Sequence, residues 1–233
     1  MIDPSLMSDM LSPFWVSIKL ACVTTFCLLL FATPVAYWLA KPSRKQVVSR
    51  LKVLLMGIIA MPLVLPPTVI GFYLLLLLSP SVGIGKWLNE HGISPLIFTF
   101  EGLVIGSIIY SLPFYIQPVY AQFLRIPKSV TEVAHLLEPS RMRRFVKVAL
   151  PQARVGIILG GLVSFAHTIG EFGVVLMIGG SISGETKVVS IAIYEQVEAL
   201  NYEAAHMMSG ILIVMAVVMV ALIASVSRMS QRP

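Results

Sequence analysis

The chain is expected to fold as an all-α polytopic membrane protein with five transmembrane helices, its N-terminus outside and its C-terminus cytoplasmic. Composition is the first reason: 57% of the residues are hydrophobic, 12% are charged and the mean hydropathy is +0.89, outside the range of soluble domains. Length is the second, because the 233 residues hold five apolar stretches, each near the roughly 20 residues that a helix needs to cross the hydrocarbon core. The placement of charge is the third. Of 17 basic residues, five lie in segment 41–52, seven in 120–154 and two in the tail, leaving Lys19, Lys86 and Lys187 elsewhere. With five spans these clusters share one side, which an excess of Lys and Arg marks as cytoplasmic. Asp3, Asp9, Glu90, Glu185, Glu195, Glu198 and Glu203 fall on the other side. Topology thus accounts for the net charge of +6, and no nucleic-acid partner is needed.

A short polar segment precedes the first span, about residues 14–39, whose Cys22 and Cys27 suit neither a metal site nor a disulfide and read as packing residues. The basic stretch 41–52 leads into the second span, about 53–78. A loop with Gly83, Gly85, Lys86 and Glu90, read as a turn, leads to the third span, about 103–119. The fourth and fifth spans are about 155–178 and 204–225, in a single transmembrane domain covering 1–233. Residues 179–203 are too polar to span. Within them Val189, Ala192, Ile193, Val197 and Leu200 mark an amphipathic helix on the outer face.

Between the third and fourth spans lies the cytoplasmic loop 120–154. Val130, Val133, Ala134 and Leu137 repeat at i, i+3, i+4 and i+7, one face of a helix. Ser129 with Glu132 three residues on reads as a capping box, and Glu138-Pro139 as the stop. Ser140 opens a second short helix carrying Met142, Phe145, Val146 and Ala149, closed by Leu150-Pro151, with Arg141, Arg143, Arg144 and Lys147 on it. Such a hairpin suits docking to another protein.

Two motifs lie inside the spans. Pro62, Pro66 and Pro67, followed by Gly71, must break or kink the second span, and freed backbone groups in lipid require protein or water against them. A broken helix lining a translocation route is the functional reading; a kink serving packing alone is the plainer one. In the fourth span Gly170-Glu171-Phe172-Gly173 places a carboxylate deep in the bilayer, which demands protein, water or a partner. His167, four residues earlier, is expected on the same helical face as Glu171, where the spacing allows the two to pair. A proton relay, a polar helix contact and a gate all satisfy this arrangement. Gly179 to Gly184 begins like a phosphate loop, but Glu185 stands where the lysine is required. No catalytic residue and no metal ligand set is expected.

Several of these motifs together resemble one family. Glu132, Val133 and Ala134, then Glu138, Val148, Leu150 and Pro151, are similar to the EAA loop of bacterial ABC importer permeases, with Val133 in place of an alanine and Glu138 in place of a glycine. Pro62, Val64, Leu65, Pro66, Pro67, Val69 and Gly71 resemble the proline-rich stretch of molybdate permease subunits. The Gly170–Gly173 motif and the later Gly184-Glu185-Thr186 resemble those of the molybdate and sulfate permeases. The resemblance implies a homodimeric permease in the bacterial inner membrane carrying molybdate, with tungstate, sulfate or thiosulfate as rival cargoes. It implies two copies of an ABC ATP-binding subunit at the cytoplasmic face, which would bind ATP and Mg, an external molybdate-binding protein, and no cofactor in this chain. Glu132, Ala134, Leu137, Glu138, Arg141, Arg143, Arg144, Leu150 and Pro151 would form the coupling loop. Pro62, Pro66, Pro67, Gly71, Gly170, Glu171, Phe172 and Gly173 would shape the path or its gate. A rival of another class is a proton-coupled secondary anion transporter working through His167 and Glu171, but no inverted repeat is visible.

Overall fold

The structure, a computed structural model, describes residues 4–43, 45–138 and 140–229. Asp3, Arg44, Pro139 and Arg232, used above for charge placement and for the stop after Glu138, lie outside the described residues. All regular elements among the described residues are helices. The centre is a three-helix core of α1 (Pro4–Ala40), α5 (Phe100–Leu124) and α9 (Arg154–Ile169), each packed on the other two.

Small residues make that core close. A Cβ on Gly156 would lie 2.5 Å from Gln122 Cβ, and one on Gly160 2.9 Å from the Tyr115 carbonyl oxygen. The two glycines, four apart on one face of α9, therefore let it approach the α5 backbone, as lipid-embedded helices do when van der Waals contact drives association. Leu28, Ala32, Ala36, Tyr115, Ile116 and Val119 fill the seam between α1 and α5. There the hydroxyls of Thr33 and Tyr115 are 2.7 Å apart.

Among the described residues, five helices are long and apolar enough to cross a membrane: Leu11–Ala40, Gln46–Leu63, Pro67–Glu90, Phe100–Leu124 and Tyr202–Arg228. A sixth is added if Arg141–Gln152 and Arg154–Ile169, bent by 73°, form one span. The number matches the expected five; the assignment does not. The expected span 53–78 divides into α2 (Gln46–Ala60), a 3-10 turn at Met61–Leu63, and α3 (Pro67–Leu78). The proline run is the cause: Pro62 lies in the turn, Pro66 has ψ 138 and stops helical propagation, and Pro67 takes the first helical position, where no amide hydrogen is missed. The expected span 155–178 is α9 followed by α10 (Gly173–Gly179). The 16 residues of α9 reach about 24 Å at 1.5 Å per residue, short of the roughly 30 Å core.

The remaining elements are α4 (Gly83–Glu90), α6 (Lys128–Leu137), α7 (Arg141–Arg144), a π turn at Phe145–Ala149, α8 (Leu150–Gln152), α11 (Val189–Glu198) and α12 (Tyr202–Met229). Three local expectations are corrected. Gly83 to Lys86 is not a turn but the start of α4, and Gly85 is needed there because a Cβ would sit 2.2 Å from the Leu78 carbonyl oxygen. The Ser129–Glu132 capping box does not form: α6 starts two residues earlier, with Pro127 at the cap (φ −59, ψ 143) and Ser129 already inside. Leu150-Pro151 does not close the second loop helix, which continues to Gln152. The π turn just before it widens the backbone spiral, so a proline ring fits where an α-helical turn would clash.

The ends of the bundle differ. At one, Lys52 Nζ donates to the carbonyls of Trp38, Leu39 and Lys41 at the end of α1, and Tyr37 packs on Phe123 and Phe145 at 5.1 and 4.9 Å. Segments 41–52 and 141–153 thus share an end. At the other, Val189 N donates to Ser17 Oγ (2.8 Å), seating the expected helix α11 on α1 through Val188, Val189 and Ile191. The outer faces of α2 and α12 carry exposed Val, Ile and Leu. Gly160→Val is expected to force α9 off α5 and to cost about 2 kcal/mol, the usual range for overpacking; a lower thermal midpoint of the detergent-solubilised protein checks it.

Candidate functional site

The two broken helices meet. A Cβ on Gly71 of α3 would lie 2.8 Å from Met177 Cβ and 3.1 Å from Val174 Cα on α10. A Cβ on Gly173 would lie 2.9 Å from Pro67 Cβ. Each half-helix therefore presents a glycine to the other, and the starts of α3 and α10 stand side by side. Beside them opens a cavity of about 480 Å³ lined by Pro67, Thr68, Tyr110, Ala166, His167, Gly170, Glu171, Phe172 and Gly173.

Of the residues expected on the path, Pro67, Gly170, Glu171, Phe172 and Gly173 come together in this lining. Pro62, Pro66 and Gly71 do not; Pro62 and Gly71 are buried, and Pro66 holds the break. Thr68 and Tyr110 were not foreseen. Neither belongs to a motif, and only the fold brings them into one lining with Glu171.

Glu171 sits in the break between α9 and α10, after Gly170 and before Phe172, whose φ −128 and ψ −64 are not helical. Its backbone carbonyl accepts from Ser190 Oγ at 2.6 Å, tying α11 to the break. The side chain is 3% exposed with both carboxyl oxygens buried, and the Ser107 hydroxyl of α5 is the polar group against them. A buried carboxyl at membrane depth is costly unless polar neighbours of this kind meet it.

The expected pairing of His167 with Glu171 is corrected. Helix α9 ends at Ile169, so the four-residue spacing no longer places both side chains on one face. His167 instead contacts Ser111 Oγ through Nδ1 at 3.0 Å and stacks on Phe114 with ring centroids 3.8 Å apart. Among the described residues, no arginine or lysine lines the cavity.

The loop residues form a second surface. On α6 Ala134 is buried, Glu132 is exposed, and Leu136 and Leu137 are 85% and 79% exposed. Glu138 ends α6 with φ −133, an extended conformation open to any residue, so no glycine is needed here. Its carboxylate pairs with Arg143 Nη1 (3.4 Å) and Lys147 Nζ (3.8 Å), and its carbonyl accepts from Arg144 Nη1 at 2.8 Å. Arg141 is exposed, Leu150 is half-buried and Pro151 is exposed. Met142 and Val146 extend the apolar exposure of Val133, Leu136 and Leu137.

Comparison with known proteins follows this geometry. Residues 32–232 match the family described as binding-protein-dependent transport system inner membrane component. The chain is 45% identical over 194 residues to the molybdenum transport system permease protein ModB of Azotobacter vinelandii, covering 83% of this chain and 84% of that one. It is 30% identical over 181 residues to the sulfate transport system permease protein CysW of Escherichia coli K12, covering 76% of this chain and 59% of that one. Its fold is similar to a chain of the MetNI methionine ABC transporter in an inward-facing conformation, with TM-score 0.73, 15% identity and coverage of 99% and 100%.

Glu138→Gln removes the carboxylate that gathers Arg143 and Lys147. Trypsin cleavage after Arg143, Arg144 or Lys147 is expected to accelerate several-fold. The thermal midpoint should barely move, since exposed ion pairs contribute about 0–1 kcal/mol.

Proposed function

The chain belongs to the binding-protein-dependent transport system inner membrane components, multi-pass proteins of the bacterial inner membrane, and on that premise we propose that it is the permease subunit of an ABC importer for molybdate. The observation that carries this is the cavity at the two helix breaks, in a chain 45% identical to a molybdenum permease over most of both lengths. Non-helical backbone at membrane depth is tolerated where it faces protein or a water-filled route, and here both breaks face one such space. The weaker likeness to a sulfate permease, 30%, favours molybdate over sulfate; tungstate, of similar shape and charge, would enter by the same route.

Importer permeases of this kind work with an ATPase and a substrate-binding protein. In our reading two copies of the chain pair about a two-fold axis, each contributing its broken helices to one central path. Two ATPase subunits dock on the exposed apolar face of α6 and on the π turn after α7, and they supply ATP and Mg chemistry that this chain does not encode. Closure of the ATPases brings the two loops together, and the bent junction between α8 and α9 transmits the movement to the broken helices as a rigid-body rocking. The binding protein meets the opposite end, beside α11. The absence of arginine and lysine from the cavity lining suits passage without tight retention, leaving most selectivity to the binding protein.

The test is reconstitution in liposomes with the ATPase and binding protein, following ATP-driven uptake of labelled molybdate against excess sulfate. Uptake that requires ATP and resists sulfate supports the reading, whereas uptake by this chain alone under a pH gradient overturns it. Leu137→Asp places a charge in the docking face and is expected to lower ATP-driven uptake at least tenfold, with Glu132→Ala weakening it less, while the permease dimer still forms on size-exclusion chromatography.

A further inference from the structure

Three basic residues stand apart from the basic clusters, and two of them are paired: Lys86 with Glu90 at 3.8 Å, and Lys187 with Glu195. Lys19 has no acidic partner among the described residues; its Nζ lies 4.1 Å from the centroid of the Phe100 ring. Phe100 is the first residue of α5, and Ser17, just before Lys19, holds Val189 of α11. The ammonium therefore sits at the end of the bundle away from segments 41–52 and 141–153. Lys19 is exposed, one turn after Trp15, which is 69% exposed. A helical side chain leans toward its own N-terminus, which at this end means toward the membrane surface. Charge and indole ring thus stand together where lipid meets water.

Below Lys19 the seam between α1 and α5 keeps a regular register. Lys19 meets Phe100 at one level and Thr33 meets Tyr115 at another, so the two helices run parallel and in step. Lys19, Val23, Cys27, Phe31 and Val35 recur every fourth residue on α1, as Phe100, Val104, Ile108, Leu112 and Ile116 do on α5. Val23 and Val104 are only half-buried, and Phe31 and Val35 are exposed, so the seam is a groove. It opens into a cavity of about 160 Å³ lined by Cys27, Phe31 and Val35 from α1 and by Ile108, Leu112 and Ile116 from α5. An apolar cavity near 150 Å³ stays dry and takes up apolar guests. From Lys19 to Phe31 the helix rises about 18 Å at 1.5 Å per residue. That is close to the depth of one leaflet, half of the roughly 30 Å core.

We propose that this groove is a lipid site: the phosphate of an anionic phospholipid in the leaflet on the α11 side pairs with Lys19, and one acyl chain runs down the seam into the cavity at Phe31. The proposal does not depend on the cargo. One side of the ammonium rests on the Phe100 ring, and its remaining N–H groups are available to phosphate oxygens as charge-assisted donors. Cys22, Phe26 and Leu30, flanking the groove on α1, are exposed, the composition of a face turned to lipid. A helix of a second copy, about 10 Å across with its side chains, would bridge the groove without reaching its floor, whereas a single hydrocarbon chain fills it. The lipid ties α1 to α5 from outside, as Thr33 and Tyr115 tie them from within.

The test uses the full chain in phosphatidylcholine vesicles containing a small fraction of phosphatidylglycerol whose acyl chain ends in a diazirine. Photolysis is expected to label the peptides bearing Phe31 and Leu112, and unlabelled phosphatidylglycerol, but not added phosphatidylcholine, should compete. Lys19→Gln should lower that labelling about fivefold, the factor one lysine contributes beside an anionic headgroup, and Lys19→Arg should retain it. Ile108→Phe fills the cavity, leaves the lysine in place and should remove the label from Phe31. An unchanged thermal midpoint of each variant shows that it is folded. Equal labelling by a phosphatidylcholine probe, labelling indifferent to Lys19→Gln, or none at these two peptides overturns the proposal. In a Cys22→Ser background, a Cys27–Cys27 disulfide between copies in place of labelling assigns the groove to a second chain and overturns it too.

Discussion

A helix that stops inside a bilayer exposes backbone donors and acceptors that lipid cannot satisfy. This chain stops twice, before Pro67 and after Ile169, and the rest of the architecture follows from setting those two stops against one another. Gly71 and Gly173 allow it, each removing the side chain that would hold the opposing half-helix away. Glu171 occupies the junction with its backbone held by Ser190 and its carboxyl buried beside the shared space. Break, glycine contact and buried acid are therefore one device. Removing the glycines would separate the half-helices, and filling the breaks would leave the acid inside apolar packing.

Much of this was legible in the sequence because it depends on covalent facts. A proline lacks an amide hydrogen wherever it stands, so three of them in six residues announce a break. A carboxylate flanked by glycines in an apolar span announces a site. The clustering of lysine and arginine separated the loops into two classes, and the structure brings segments 41–52 and 141–153 to one end. What could not be read depends on residues distant in sequence. His167 was expected to meet Glu171 four residues away and instead meets Ser111, 56 residues away, because the helix ends between the first two. The capping box at Ser129 lost to Pro127, whose ring sets the backbone for a helix start two residues earlier. The π turn leaves no pattern in a single sequence; only the continuation of the helix past Pro151 reveals it.

The basic end shows how charge is used beyond orientation. Lys52 closes the carbonyl end of α1, donating to three carbonyls at that end. Glu138 gathers Arg143, Arg144 and Lys147 around the junction of α6 and α7, giving the loop a defined shape. Arg141 and the apolar residues around Leu137 remain outside that arrangement. The loop is thus stiff where it joins the bundle and open where another protein can reach it.

The uneven burial of the spans bears on how the chain is made. Half of the apolar window of α5 is buried within the chain, against none of Gln46–Leu63 and 6% of Tyr202–Arg228. In a two-stage view of membrane folding, helices first insert independently and then associate. Here α1, α5 and α9 have partners waiting in the same chain, while α2 and α12 enter as segments that leave most of their surface uncovered by it. A newly synthesised copy would hold its core together yet keep two nearly bare helices at its flanks. Its lifetime before assembly would then be set by how soon a companion covers them, or a membrane protease finds them.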